Sequence, residues 1–189
     1  IPAILSSKYS QLQMIGSRNL PKAQSTAKLF SCTDYGNYDD VLENDNIDAV
    51  YISLPIALHE KWATKAVKSG KHIICEKSLC LSYNSAKKLV KLCKNNDVII
   101  LEGLSFRFHP QHQKIKKLIS EDKLGNIHSF FAKYGFKLPY SQKNFRFNKQ
   151  LGGGALNDVG CYIVSSNYTI FENMPETIFC NQNNSHCLM

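Results

Sequence analysis

Along the chain, short apolar runs alternate with stretches in which apolar residues recur every three or four positions. A short run rich in β-branched or aromatic residues reads as a strand, and the longer spacing reads as a helix with one apolar face. On that basis residues 11–16 (QLQMIG) predict a strand, 21–30 a helix, and 38–43 a short helix closed by a polar turn. Residues 47–53 (IDAVYIS), 71–75 (KHIIC) and 98–101 (VIIL) predict three more strands. Their near-continuous hydrophobicity is what a parallel sheet buried on both faces requires. Residues 56–69 predict an amphipathic helix stopped by Gly70. Ser82 is an N-cap candidate for a helix over 84–94, whose Ala86, Leu89, Val90 and Cys93 share one face.

Strand–helix–strand units in succession imply an α/β fold with a Rossmann-like, doubly wound parallel sheet. Ligands of such sheets sit beyond the carboxyl ends of the strands, which directs attention to residues 54–59, 76–78 and 102–103. Past residue 105 the pattern changes. A helix over 108–119 precedes an alternating, aromatic-rich strand over 127–137 (IHSFFAKYGFK). A polar segment, 138–150, leads into GGGALNDVGCY, a helix ending near Phe171 and a last strand over 176–181. The expectation is two units, residues 1–105 and 106–189.

The length of 189 residues and an apolar content of 43% suffice for one domain or two small ones, and no apolar stretch is long enough to span a membrane. Nothing at the start of the chain has the form of a secretion signal, so a cytoplasmic location is expected. The seven cysteines form no close CxxC pair, which predicts reduced thiols and no zinc site. His109 and His112 lack a partner at ligand spacing, and no metal is expected. The net charge of +8 comes from dispersed lysines without an interleaved arginine–aromatic stripe, so no nucleic acid partner is expected. Only Arg18, Arg107 and Arg146 are arginines, which makes each a better candidate for a specific anion contact than any one lysine.

Three clusters carry candidate chemistry. Arg18 follows the first strand, where a guanidinium can hold a ribose 2′-phosphate bidentately or simply occupy a surface turn. Glu76 and Lys77 follow the buried run HIIC, and a cation at that sheet end acts in low-dielectric surroundings unless the pair is a solvated turn. Asp158 and Tyr162 are four apart and share a face if their stretch is helical. They then converge on one ligand, or else serve as a cap and a core residue behind a glycine loop, Gly152–Gly154, that permits close backbone approach.

The ordered set SRN (17–19), KAQSTAKLF (22–30), IDAVYISLPIALH (47–59), AVKSGKHIICEKS (66–78), EGLSFRFHPQ (102–111) and LGGGALNDVGCY (151–162) resembles the Gfo/Idh/MocA family of NAD(P)-dependent oxidoreductases. The likeness is strongest to its branch of dimeric dihydrodiol dehydrogenases and NADP-dependent D-xylose dehydrogenases. The resemblance implies a Rossmann domain for the cofactor, NADP favoured and NAD possible, and a second, here incomplete, α+β open-sheet domain covering a sugar, polyol or dihydrodiol substrate. Hydride would pass between a carbinol carbon and the nicotinamide. By position, Lys77 matches the lysine of the family's EKP motif, Asp158 the substrate-contacting aspartate and Tyr162 the acid–base residue. Ser17 and Arg18 match the adenosine-phosphate contacts, and Leu54, Pro55, His59 and Glu76 match positions lining the cofactor. Lys77 would favour the ionised form of the Tyr162 phenol.

The chain departs from the family pattern in three places. A strand and GxGxxG loop that open the family's first domain have no counterpart before Ile1, the second sheet stops early, and Ser78 stands for the proline of EKP. A fragment or a decayed relative is therefore expected, with a non-catalytic remnant serving as a binding module as the alternative. The resemblance implies a homo-oligomer joined through the second sheet, as in many relatives, and the shortened sheet here leaves that association open.

Overall fold

The structure, a computed structural model, describes residues 1–181. After a single helical turn, α1 (Pro2–Ser6), strands and helices alternate: β1 (Met14–Gly16), α2 (Leu20–Leu29), β2 (Asp34–Gly36), α3 (Tyr38–Glu43) and β3 (Ala49–Ile52). The series continues through α4 (His59–Lys68), β4 (His72–Cys75), α5 (Tyr83–Asn95) and β5 (Ile100–Glu102). Every strand pair is parallel; β1 pairs with β2, and β3, β4 and β5 form a second sheet in that order. The Rossmann-like α/β arrangement expected from the hydrophobic pattern is thus present, with its strands in two groups.

Local chemistry explains where the elements begin and end. Asn19 caps α2 by accepting from Lys22 N at 2.9 Å, with Pro21 in the first turn, where its missing N–H costs nothing. Asn37 and Asp40 form a reciprocal capping box on α3. Ser82 caps α5 through Ser85 N at 3.1 Å, and Gly70, at φ +68°, ends α4 in the left-handed region that glycine enters without penalty. The main core lies between one face of β3–β5 and the two helices α4 and α5. There Val50, Ile52, Ile73 and Cys75 meet Ala63, Ala66, Val67, Leu89 and Cys93. The alanines let α4 lie close to the sheet, and full burial of a side chain such as Ile73 contributes roughly 1.5–3 kcal/mol.

Three expectations need correction. The β3–β5 sheet is buried on one face only, because alternate residues point outward and leave Tyr51, Ile74 and Leu101 exposed. Residues 127–137 form no strand, nor do 176–181. Alternation defines two faces but supplies no partner for the backbone N–H and C=O groups. Among the described residues none pairs with these segments, so Phe131 and Phe179 are almost fully exposed. The helix expected over 56–69 is a 3₁₀ turn, Ile56–Leu58, followed by α4.

The remainder consists of a 3₁₀ turn, Ser105–Phe108, α6 (Pro110–Ser120), two 3₁₀ turns at Phe145–Phe147 and Lys149–Leu151, a π-helical turn at Leu156–Gly160, and α7 (Cys161–Phe171). His109, one of the two histidines weighed as metal ligands, caps α6 through Gln111 N at 3.2 Å. No helix among the described residues is long and apolar enough to cross a membrane. The described cysteines are all free thiols; Cys187 lies outside the described residues.

Candidate functional site

The loops after β3 and β4 meet the glycine-rich turn at a cleft of about 440 Å³. From the first loop come Ser53, Leu54, Pro55 and Ile56, from the second Glu76 and Lys77, and from the far half of the chain Arg146, Gly152, Gly153 and Asp158. Glycine is required at the junction. Gly152 sits at φ +83°, and a Cβ there would fall 2.8 Å from Ile56 and Leu81 side-chain atoms. A Cβ on Gly153 would lie 2.5 Å from the Arg146 carbonyl oxygen and 2.6 Å from that of Phe145. Bare backbone therefore lets the turn that carries Arg146 fold against the loop that precedes Asp158.

An ion pair crosses the cleft. Lys77 Nζ donates to Asp158 Oδ1 at 2.8 Å and also to the Asp158 carbonyl oxygen, linking residues 81 apart in sequence. The two side chains are only 14% and 15% exposed. Arg146 Nε donates to Asp158 Oδ2 at 2.9 Å, so both oxygens of the carboxylate face a cation. Burial pushes the Asp158 carboxyl up, but the hydrogen bonds and charges of Lys77, then of Arg146, outweigh it and hold the group below its ordinary value. Beside Lys77, Ser78 Oγ donates to Asn157 O at 3.2 Å, and Leu79 N donates to Glu102 Oε1 at 2.8 Å. Ser78, in the position where the family carries proline, thus ties the lysine loop to the Asp158 turn.

Tyr162 stands at the same junction. The Lys77 ammonium lies 5.3 Å from the centre of its ring, over the face and within reach of a cation–π attraction, while Phe106 and Tyr134 pack edge-on against it. Burial raises the Tyr162 phenol above its ordinary value and Lys77 only partly offsets this. Lys77 does act in the expected direction, toward the ionised phenol, but an ammonium over the ring face offsets less than burial adds, so the group lies above its ordinary value. A second phenol, Tyr51, donates to Glu76 Oε1, and burial followed by that hydrogen bond pushes it up to about 12.

Of the sequence-predicted residues, Lys77, Asp158, Leu54, Pro55 and Glu76 line one cleft, with Tyr162 against Lys77. Ser17 and Arg18 follow β1 and do not line it. Ser17 Oγ accepts from Asn19 N at 3.1 Å, and Arg18 is exposed without a side-chain partner among the described residues. His59 is 0% exposed and lies behind the cleft, so it does not line a cofactor surface. Arg146 makes, with Asp158, the kind of anion contact expected of a scarce arginine, whereas Tyr51 is a site residue the sequence did not single out. The scarcity of arginine was a signal for Arg146; nothing in the pattern of β3 distinguishes Tyr51 from a core residue. A second cavity of about 310 Å³, lined by Arg107, Lys116, Tyr168, Thr169 and Glu172, has its Lys116 paired with Glu172 at 3.2 Å and includes none of the cleft residues.

Residues 1–104 match the model of an oxidoreductase family with an NAD-binding Rossmann fold, and residues 112–187 match the Gfo/Idh/MocA C-terminal domain. The chain belongs to the Gfo/Idh/MocA oxidoreductase family. Among similar members of that family, the D-xylose 1-dehydrogenase (NADP(+)) 2 of Haloferax volcanii is 34% identical over 180 residues, which is 95% of this chain and 54% of that one. The trans-1,2-dihydrobenzene-1,2-diol dehydrogenase of Xenopus tropicalis is 29% identical over 173 residues, 89% of this chain and 51% of that one. A solved 3-ketoreductase from Actinomadura kijaniata, in complex with NADP and TDP-benzene, superposes with a TM-score of 0.83 at 31% identity, covering 89% of this chain and 52% of that one. The chain thus spans about half the length of the curated Gfo/Idh/MocA relatives it matches.

Proposed function

We propose that this chain carries the catalytic junction of an NADP-dependent oxidoreductase that moves a hydride between the cofactor and a carbinol or carbonyl carbon of a sugar, polyol or dihydrodiol. The observation that carries the reading is the Lys77–Asp158 contact at 2.8 Å with the Tyr162 ring beside the same ammonium. A cation, a carboxylate and a phenol from distant parts of the sequence meet at the end of a parallel sheet, where ligands of such folds sit. The activities of the relatives, on xylose, a dihydrodiol and a keto-sugar nucleotide, support the substrate class.

The residues present fit a nicotinamide cofactor. The cleft above Leu54, Pro55 and Glu76 is open, and Arg18, an exposed guanidinium at the end of β1, suits a 2′-phosphate beside Ser17. Bound there, the cofactor supplies or accepts the hydride. Tyr162 supplies the matching proton at the substrate oxygen, and its raised pKa keeps that proton in place at neutral pH, which suits the reduction of a carbonyl. Asp158, ionised and held by two cations, orients a substrate hydroxyl through its remaining lone pairs. Lys77 stabilises negative charge as it develops on the substrate oxygen. The family models match on either side of residue 105, which supports reading that point as the boundary between the cofactor unit and the substrate unit.

Titration of the intact protein with NADPH and with NADH, followed by assays of D-xylose oxidation and ketose reduction, tests the reading. Preferential NADPH binding and turnover on a sugar or diol are expected. No binding of either nucleotide by the intact protein contradicts it and favours a non-catalytic binding module.

A further inference from the structure

His59 opens α4 and is fully buried, yet both of its ring nitrogens are in hydrogen-bond range of protein atoms. Nδ1 lies 2.9 Å from the carbonyl oxygen of Ser78, and Nε2 lies 2.7 Å from that of Leu54. Leu54 belongs to the loop after β3 that floors the cleft, and Ser78 directly follows Lys77. One imidazole therefore spans the two sheet-end loops. Both partners are acceptors, so the ring N–H donates to one carbonyl while the other nitrogen packs against the second.

We propose that His59 is a positioning residue that sets Lys77 on Asp158 by spanning the Leu54 and Ser78 carbonyls, donating to one of them and packing against the other. The lysine loop is tied on its other side by Ser78 Oγ to Asn157 O, at 3.2 Å, and by Leu79 N to Glu102. Of these ties, His59 alone joins the lysine loop to the loop after β3. Its loss frees the backbone beside Lys77 to rotate, and the ammonium leaves the carboxylate without any change in the core face of the sheet. The proposal rests on Lys77 as the cation of the site described above, and it is tested on the loop itself, so that a failed tie and a failed hydride-transfer reading give different results.

The test is the rate at which a small amine-acylating reagent labels individual lysines, read by mass spectrometry, in the native chain and in His59→Phe, which keeps a ring without donors. Lys71 is the internal control. It is buried, donates to Asn44 O at 2.9 Å, and sits just before β4, at the end opposite Lys77. Labelling of Lys77 should rise roughly tenfold in the variant, as expected for an opening released by a lost buried hydrogen bond that leaves its carbonyl unpaired, while Lys71 stays unchanged. An equal rise at both lysines, which general destabilisation would cause, overturns the proposal, as does no rise at Lys77. Nitrogen-15 NMR of the native chain labelled at histidine decides the matter if His59→Phe does not fold. A slowly exchanging ring N–H signal from His59 is expected, and a His59 ring N–H that exchanges as fast as one in solvent overturns the tie.

Discussion

Asp158 carries more of the site's energetics than any other side chain, because its carboxylate accepts from Lys77 on one oxygen and from Arg146 on the other. Asp158→Ala leaves a mostly buried ammonium without its anion, and the cost should be about 3 kcal/mol, at the low end for buried pairs because both side chains keep some exposure. Urea denaturation of the variant checks this. The depressed carboxyl also fixes a pH dependence. A group whose folded pKa lies below its unfolded value adds stability above the unfolded value, about 3.9 for aspartate, and loses it as pH falls through the folded one. Asp158→Asn should therefore flatten the acid limb of the stability curve relative to the native chain. Arg18 makes a separate prediction. With a 2′-phosphate as its partner, Arg18→Ala should weaken NADPH binding by about tenfold or more and leave NADH unaffected, as measured by titration calorimetry. None of these pairings follows from local pattern alone. Residues 77 and 158 are linked in the sequence only by the resemblance of their flanking motifs, and the Arg146 contact arises in a 3₁₀ turn with no periodicity to read. His59 shows the converse: its place in the motif was legible, but the same motif accommodates a surface contact or a buried tie, and burial decides between them.

Among the elements, the glycine-rich turn determines whether the two sides of the cleft meet. Gly153→Ala places a methyl within 2.5 Å of a backbone carbonyl oxygen that has no slack to yield. A loss of roughly 1–3 kcal/mol is expected from such overpacking, with a lower thermal midpoint by calorimetry and faster labelling of Lys77. The first half of the fold was legible because several signals agreed there. The cap at Ser82, a left-handed stop at Gly70 and apolar runs of strand length indicated the same boundaries, and the structure adds caps at Asn19 and Asn37. The second half was not. Residues 127–137 have the alternation of a strand, but a strand exists only through pairing, and no local feature reveals whether a partner is available. The exposure of Tyr51, Ile74 and Leu101 has the same origin: composition marks a segment as apolar without stating which of its faces another element covers.

At the scale of the whole molecule, the structure joins a parallel-sheet unit to a helical and irregular one through a small set of polar links that converge on residues 76–79 and 152–158. The net charge of +8 is distributed outside those links, in lysines that pair with nearby acids, such as Lys123 with Glu121 at 2.8 Å, or remain in solvent. Such exposed pairs contribute little to stability, so raising the salt concentration should leave the thermal midpoint nearly unchanged in the range where surface charges are screened. The mostly buried Lys77–Asp158 pair should persist under the same conditions. The most direct measurement is turnover by the intact protein and its Lys77→Met variant, following reduced nicotinamide with D-xylose or a keto sugar while NADPH affinity is measured in parallel. Hydride transfer at this junction predicts a loss of turnover of about 10²–10³ with nucleotide binding retained. Unchanged turnover in the variant would contradict it.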